Sequence, residues 1–185
     1  MKNLLILFSA IVIISCNNTP KDTVKAAEDQ NEKKEDAGVA KKDAEFFAEA
    51  ASGGMMEVEL GNAAQTHASS EMVKRFGSMM VRDHSKANEE LKSVAASKNI
   101  TIPSAMGNDQ KKMVDDLMEK TGVEFDKKYM SMMVDDHKED IDKFEDASEN
   151  AQDPEVKAFA LKTLPVLKTH LDSAVVINDE IKKSH

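Results

Sequence analysis

Three of the chain's five histidines fall where a helix would turn them inward, and two of these end copies of one segment. Residues 71–84 read EMVKRFGSMMVRDH and residues 124–137 read EFDKKYMSMMVDDH; eight of these fourteen positions are identical, and Arg75/Lys128 and Phe76/Tyr129 keep their chemical character. Both copies close on Asp-His, with a methionine four residues earlier: Met80 before His84, Met133 before His137. Imidazole both ligates transition metals and hydrogen-bonds. A helical segment that twice delivers a histidine to an apolar face predicts a symmetric helical bundle with a polar site inside.

The elements that must position these residues show in the apolar spacing. Over 70–98 the stripe is Val73, Phe76, Met80, Ala87, Leu91 and Val94, and His84 fills its gap. From Thr121 to about 149 it is Phe125, Tyr129/Met130, Met133, Ile141, Phe144 and Ala147, with His137 in the gap. Over 154–183 it is Val156, Phe159/Ala160, Leu164, Leu167, Ala174 and Ile177/Ile181, with His170 between Leu167 and Ala174. A helix over 44–68 carries Phe46, Phe47, Ala50, Val58, Leu60 and Ala64, and sets Glu57 beside Ala50, Gly53, Gly54, Leu60, Gly61 and Ala64. Each long helix therefore aims one metal-competent group inward. One buried histidine is most often a core residue bonded to a neighbour. Four such groups buried without partners would cost several kcal/mol, so they must satisfy one another, trap water or hold an ion.

Punctuation sets the boundaries. Asp43 reads as an N-cap, as do Ser69-Ser70; Thr121 and Glu124 have capping-box spacing; Asp153-Pro154 is a cap followed by proline at the first helical position. Residues 99–108, with Pro103 and Gly107, read as a loop before a short helix over 109–120. Gly53-Gly54 inside the first helix suits close approach of a neighbour, and Pro165 inside the last predicts a kink. No stretch alternates like a strand. The prediction is all-α: four long helices and one short one.

Glu57, His84, His137 and His170 suit a single ion, with zinc or copper(II) as candidates. Met80 and Met133 stack one turn below their histidines, either filling core space or serving as soft auxiliary ligands that favour copper(I). Asp83 and Asp136 lie about 100° around the helix from the histidines that follow them. They either accept a hydrogen bond from a histidine on a neighbouring helix, fixing its tautomer, or face solvent. Carboxylate-bridged di-iron centres use Glu-x-x-His on two helices; here Val81 and Val134 stand three before the histidines, and Asp140 three after His137 is the only addition, which argues against di-iron. His67 and His185 have no supporting context, and Lys111-Lys112 and Lys138-Glu139-Asp140 read as solvated faces. No nucleophile elbow, phosphate-cradling glycine loop or catalytic cysteine argues for an enzyme.

The N-terminus speaks about location. Lys2 precedes an apolar run, Leu4 to Ile14, too short to span a bilayer, which takes about 20 residues. Residues 1–15 read as a signal peptide ending in Ile13-Ile14-Ser15-Cys16, which resembles a bacterial lipobox; Cys16, the only cysteine, would be acylated and hold the protein to a membrane of the cell envelope. Residues 16–42 have Val24 and Val39 as their only large apolar side chains and read as a disordered tether, reaching roughly 25–30 Å if coil-like. Residues 43–185 form the folded domain. A formal charge of −9 gives no footprint for nucleic acid, and the sequence names no protein partner.

The runs Met80-Val81-Arg82-Asp83-His84-Ser85-Lys86-Ala87-Asn88, Phe125-Asp126-x-x-Tyr129, Asp136-His137 and Leu164-Pro165-x-Leu167-x-x-His170, with Glu57-Val58-Glu59-Leu60 earlier, resemble the bacterial envelope family called "domain of unknown function 4142". The resemblance spans roughly 44–180. It implies a ferritin-like four-helix fold and frequent secretion or lipidation, and it implies no activity.

Overall fold

Apolar residues at helical spacing become helices whose buried faces are those the stripes outline. The computed structural model describes residues 21–184; the leader, Cys16 and His185 lie outside the described residues. The helices are α1 (Thr23–Glu32), α2 (Lys41–His67), α3 (Glu71–Ser97), α4 (Asn108–Met118), α5 (Gly122–Asn150) and α6 (Pro154–Ser184), with a 3-10 turn at Glu35–Ala37. Among the described residues the chain is all-helical. α6 runs uninterrupted through Pro165, whose side chain faces solvent.

Three residues join α2 to α3, and three join α5 to α6, so each pair is an antiparallel hairpin. α2 touches α3 and α5, and α6 touches α5 and α3, which closes a ring around the core. The end of α2 meets the start of α5 through a backbone bridge between Ala68 and Gly122.

Two buried aspartates lock the hairpins together. Asp126, near the start of α5, accepts from Ser69 N (3.2 Å), Ser69 Oγ (2.5 Å) and Ser70 N (2.9 Å) at the start of α3. Asp43, in the first turn of α2, accepts from Gln152 N (3.1 Å) and Asp153 N (2.7 Å) at the start of α6. Asp43 is thus not the N-cap of its own helix, a position Ala40 holds; it serves the helix across the core. Ser70 caps α3 through Met72 N, and Asp153 caps α6 through Glu155 N at 2.7 Å. Thr121 is the N-cap of α5 but makes no side-chain capping bond. The pairs Asp43/Asp126, Ser70/Asp153, Val73/Val156 and Phe76/Phe159 all stand 83 residues apart, so the two hairpins correspond position by position. The more visible 53-residue similarity instead links α3 and α5, which run parallel across the core.

The core comes in two apolar clusters. One gathers Leu60, Phe76, Met80, Phe125, Tyr129 and Met133; the other Phe47, Leu91, Ile141, Phe144, Phe159 and Leu167. Along α3, α5 and α6 the handover between clusters falls at His84, His137 and His170, so a polar layer separates them.

The reach of the folded unit is also corrected. From Thr23 to Glu32 the presumed tether is the helix α1, packed on α2. It is held by polar bonds that composition does not display. Asn31 buries its amide against Thr101, donating to the carbonyl at 2.8 Å and accepting from the N–H at 2.7 Å. Asp22 caps α1 through Lys25 N (3.0 Å) and also takes Asn108 N at the start of α4 (2.5 Å). Ala27 supplies the buried apolar contact.

Candidate metal centre

Each long helix delivers one group to the polar layer: Glu57 from α2, His84 from α3, His137 from α5 and His170 from α6, all buried. Glu57 Oε2 lies 2.6 Å from His84 Nδ1, and Glu57 Oε1 lies 3.4 Å from His137 Nε2. His137 Nε2 lies 3.3 Å from His170 Nδ1. The three imidazole rings are 5.2–5.7 Å apart, centre to centre. One nitrogen from each histidine falls within 4.8 Å of the other two.

The proton count is the informative part. His137 Nδ1 lies 2.9 Å from the Met133 carbonyl oxygen, which can only accept, so that nitrogen carries the hydrogen. His170 Nε2 lies 3.1 Å from Asp83 Oδ2, so it too carries the hydrogen. A neutral imidazole has one N–H. His137 Nε2 and His170 Nδ1 are therefore both lone pairs, facing each other at 3.3 Å with no hydrogen between them. Glu57 adds two buried oxygens that make no hydrogen bond, the 2.6 Å approach of Oε2 to His84 Nδ1 lacking the required direction, and His84 Nε2 has no partner either. Acceptors pointed at one another need a proton or a cation.

A proton is hard to keep on the imidazoles. Burial pushes the His84 imidazole down to about 4, and burial with the neighbouring histidines pushes His137 down to about 3. Burial likewise lowers His170 to about 4, against the Asp83 bond that favours its charged form. All three are neutral at physiological pH. The carboxyls move the other way: burial raises Glu57 far above its ordinary value, and burial with the Glu57 charge raises Asp136 far and Asp140 to about 7. A cation would relieve both sets at once.

Asp83 stands where an orienting carboxylate would: Arg82 grips it with two bonds of 2.8 and 2.7 Å and holds it down at about 2, while it accepts from His170. Asp136 also turns inward, grouping with Glu57 and His137. Met80 and Met133 are fully buried in the apolar cluster, where Met133 serves the site through its backbone carbonyl. His67 closes the end of α2 through Ala63 and lies against the Phe125 ring. Asp140 is a correction: rather than joining a solvated face, it lines a cavity of about 20 Å³ with Glu57 and His84, room for about one water or ion. Its spacing of three from His137 was the available signal. Tyr129, which the apolar spacing marks only as core, is fully buried with an unpartnered hydroxyl; burial and the charges of Glu57 and Asp136 raise its pKa. Lys111 and Lys112 are solvated as expected, paired to Asp115 and Asp116.

Fold and site together define an all-α protein whose four long helices converge on a buried cluster of histidines and carboxylates able to hold a metal ion. The chain belongs to the family described as Domain of unknown function (DUF4142), whose model matches residues 28–177. That match begins inside α1, in keeping with α1 being part of the folded unit. No curated protein and no solved structure matches the chain.

Proposed function

We propose that this protein is a cell-envelope lipoprotein, anchored through acylated Cys16, whose ferritin-like four-helix bundle holds one transition-metal ion for metal handling or stress protection. Glu57, His84, His137 and His170 are its ligands, zinc and copper the candidate ions, and Asp83 orients His170. The observation that carries this reading is the pair of lone pairs, His137 Nε2 and His170 Nδ1, facing each other beside an unpartnered carboxylate. Met80 and Met133 bias the choice toward copper(I) only if a thioether reaches the ion. Among the described residues no helix is long and apolar enough to cross a membrane, so in this reading attachment rests on the acyl chains.

A polar core with no ion is the second reading. It is favoured by the 2.6 Å approach of Glu57 to His84, which a neutral Glu57 carboxyl would bridge by donating its proton. That proton leaves the His137–His170 contact unanswered. The test is uptake: chelator-stripped protein should take up about one equivalent of zinc or copper by calorimetry and elemental analysis. Changing both His84 and His137 to Ala should abolish it. Stoichiometric binding retained in the double variant overturns the assignment.

A further inference from the structure

The four proposed ligands leave Asp136 unused, although it is built into the site. One ligand atom each from Asp136, Glu57 and His137 lie within 4.8 Å of one another, as do one from each of the three histidines. Asp136 Oδ2 and both Glu57 oxygens are buried with no hydrogen-bond partner. The two triads share His137. Its Nδ1–H is committed to the Met133 carbonyl, so Nε2 is the only lone pair it offers, and one lone pair binds one ion. The triads are therefore alternative seats for the same ion, one rich in nitrogen and one rich in oxygen. Glu57 belongs to the oxygen-rich seat and also reaches His84 of the nitrogen-rich one.

Asp136 also faces outward. It lines a groove of about 280 Å³ between α4 and α5, together with Met113, Asp116, Met132, Asp135 and Glu139. Lys128 lines it too, and Asp116 and Glu139 are paired to Lys112 and Lys143, exposed contacts that a cation can displace at little cost. Carboxylates and thioethers at the mouth, and a buried carboxylate at the floor, suit a positively charged, borderline-to-soft ion that still carries water.

We propose that Asp136 is the loading ligand, through which a transition-metal cation passes from the α4–α5 groove to the histidines. The ion is caught between Asp136 and Glu57, then drawn inward as His84 and His170 replace the Asp136 oxygen. This rests on the metal-binding reading above and adds its route.

The test is kinetic, on the full chain, with zinc as the probe and a chromophoric chelator as the reporter. Asp136→Asn should slow association about tenfold or more and slow dissociation with it, since a residue on the path governs both directions. His84→Ala, by contrast, should speed dissociation. Wild-type association should also fall as salt is raised. Wild-type loading rates in Asp136→Asn overturn the proposal, and so does faster dissociation, which would make Asp136 a resident ligand. If that variant does not fold, the salt series decides: a flat profile rules out an acidic approach. If the wild type takes up no zinc, this route and the metal reading fall together. If it takes up zinc at rates indifferent to Asp136 and salt, only the route falls.

Discussion

A methyl group on Gly61 would stand 2.6 Å from the Gly77 carbonyl oxygen, and one on Gly77 would stand 2.7 Å from that of Gly61. α2 and α3 therefore touch backbone to backbone, one turn beyond Glu57 and two turns before His84. Alanine at either position gains about 1 kcal/mol in helix propensity. It loses more, because each meets a main-chain carbonyl of the facing helix, which can only move with that helix; overpacking of this kind costs about 1–3 kcal/mol. Gly61→Ala should thus be net destabilising by about 1–2 kcal/mol in denaturant unfolding, and should weaken zinc binding by parting Glu57 from His84. A stabilised Gly61→Ala protein would show that the helices can separate freely.

The capping aspartates should behave as a pair. Asp126→Ala strands Ser69 N, Ser69 Oγ and Ser70 N, and Asp43→Ala strands Gln152 N and Asp153 N. Each should cost about 2–4 kcal/mol, the sum of a lost helix cap and of donors left without a charged acceptor. The two losses should add within error in the double variant, because the residues sit at opposite ends of the ring. A loss below about 0.5 kcal/mol, the range of an ordinary surface change, would mean that water replaces the carboxylate there.

The four long helices were legible because each buries an apolar stripe, and a histidine that interrupts a stripe is legible for the same reason. Asp140 was not, since Lys138 and Glu139 beside it give the segment the look of a solvated run; its inward turn follows only from counting three residues on from His137. α1 escaped because it docks through the Asn31 amide and the Asp22 carboxylate, bonds across 70 and 86 residues of chain that leave no local pattern. Asp43 misled for a related reason. Its position before an apolar run is that of an N-cap, and it does cap a helix, but one that begins more than a hundred residues later. The 83-residue hairpin correspondence likewise rests on scattered positions rather than a run, whereas the 53-residue one is contiguous.

The ion-free protein should lose stability as pH rises from about 6.5 to 8. Its histidines have folded values lowered from 6.5 to about 3–4, so below 6.5 the unfolded chain binds protons that the folded state refuses, and acidification destabilises. Glu57, Asp136 and Asp140 have raised values, so above their ordinary range the folded state keeps protons that the unfolded chain releases, and alkalinisation destabilises. Between about 4.5 and 6.5 the two sets oppose one another, and the profile should be nearly flat. Above 6.5 the histidines drop out and the carboxyls act alone. Zinc should reverse the trend, because its binding expels the carboxyl protons and so strengthens with pH. Calorimetric melting at pH 5.5, 6.5 and 7.5, with chelator and with zinc, checks both signs; a chelated protein whose Tm climbs above pH 6.5 contradicts the assignment of these carboxyls to the buried layer.

Asp83 offers the sharpest separation between orienting a ligand and being one. Its carboxylate touches His170 Nε2 at 3.1 Å, on the side of the ring away from His137, and so fixes which nitrogen keeps its lone pair. Asp83→Asn preserves the size of the side chain but removes the charge and allows the amide to flip, presenting N–H to His170. The imidazole would then favour the tautomer with hydrogen on Nδ1, which closes the contact to His137 with an ordinary hydrogen bond and leaves that seat no lone pair. Zinc affinity should fall about 10–100-fold, the usual effect of losing a carboxylate behind a ligating histidine. The ion-free protein should become no less stable, since its facing acceptors are now bridged. Competition against a chelator measures the first effect and thermal melting of the stripped protein the second. Equal losses in both would assign Asp83 to holding the fold through Arg82 rather than to setting the tautomer of His170.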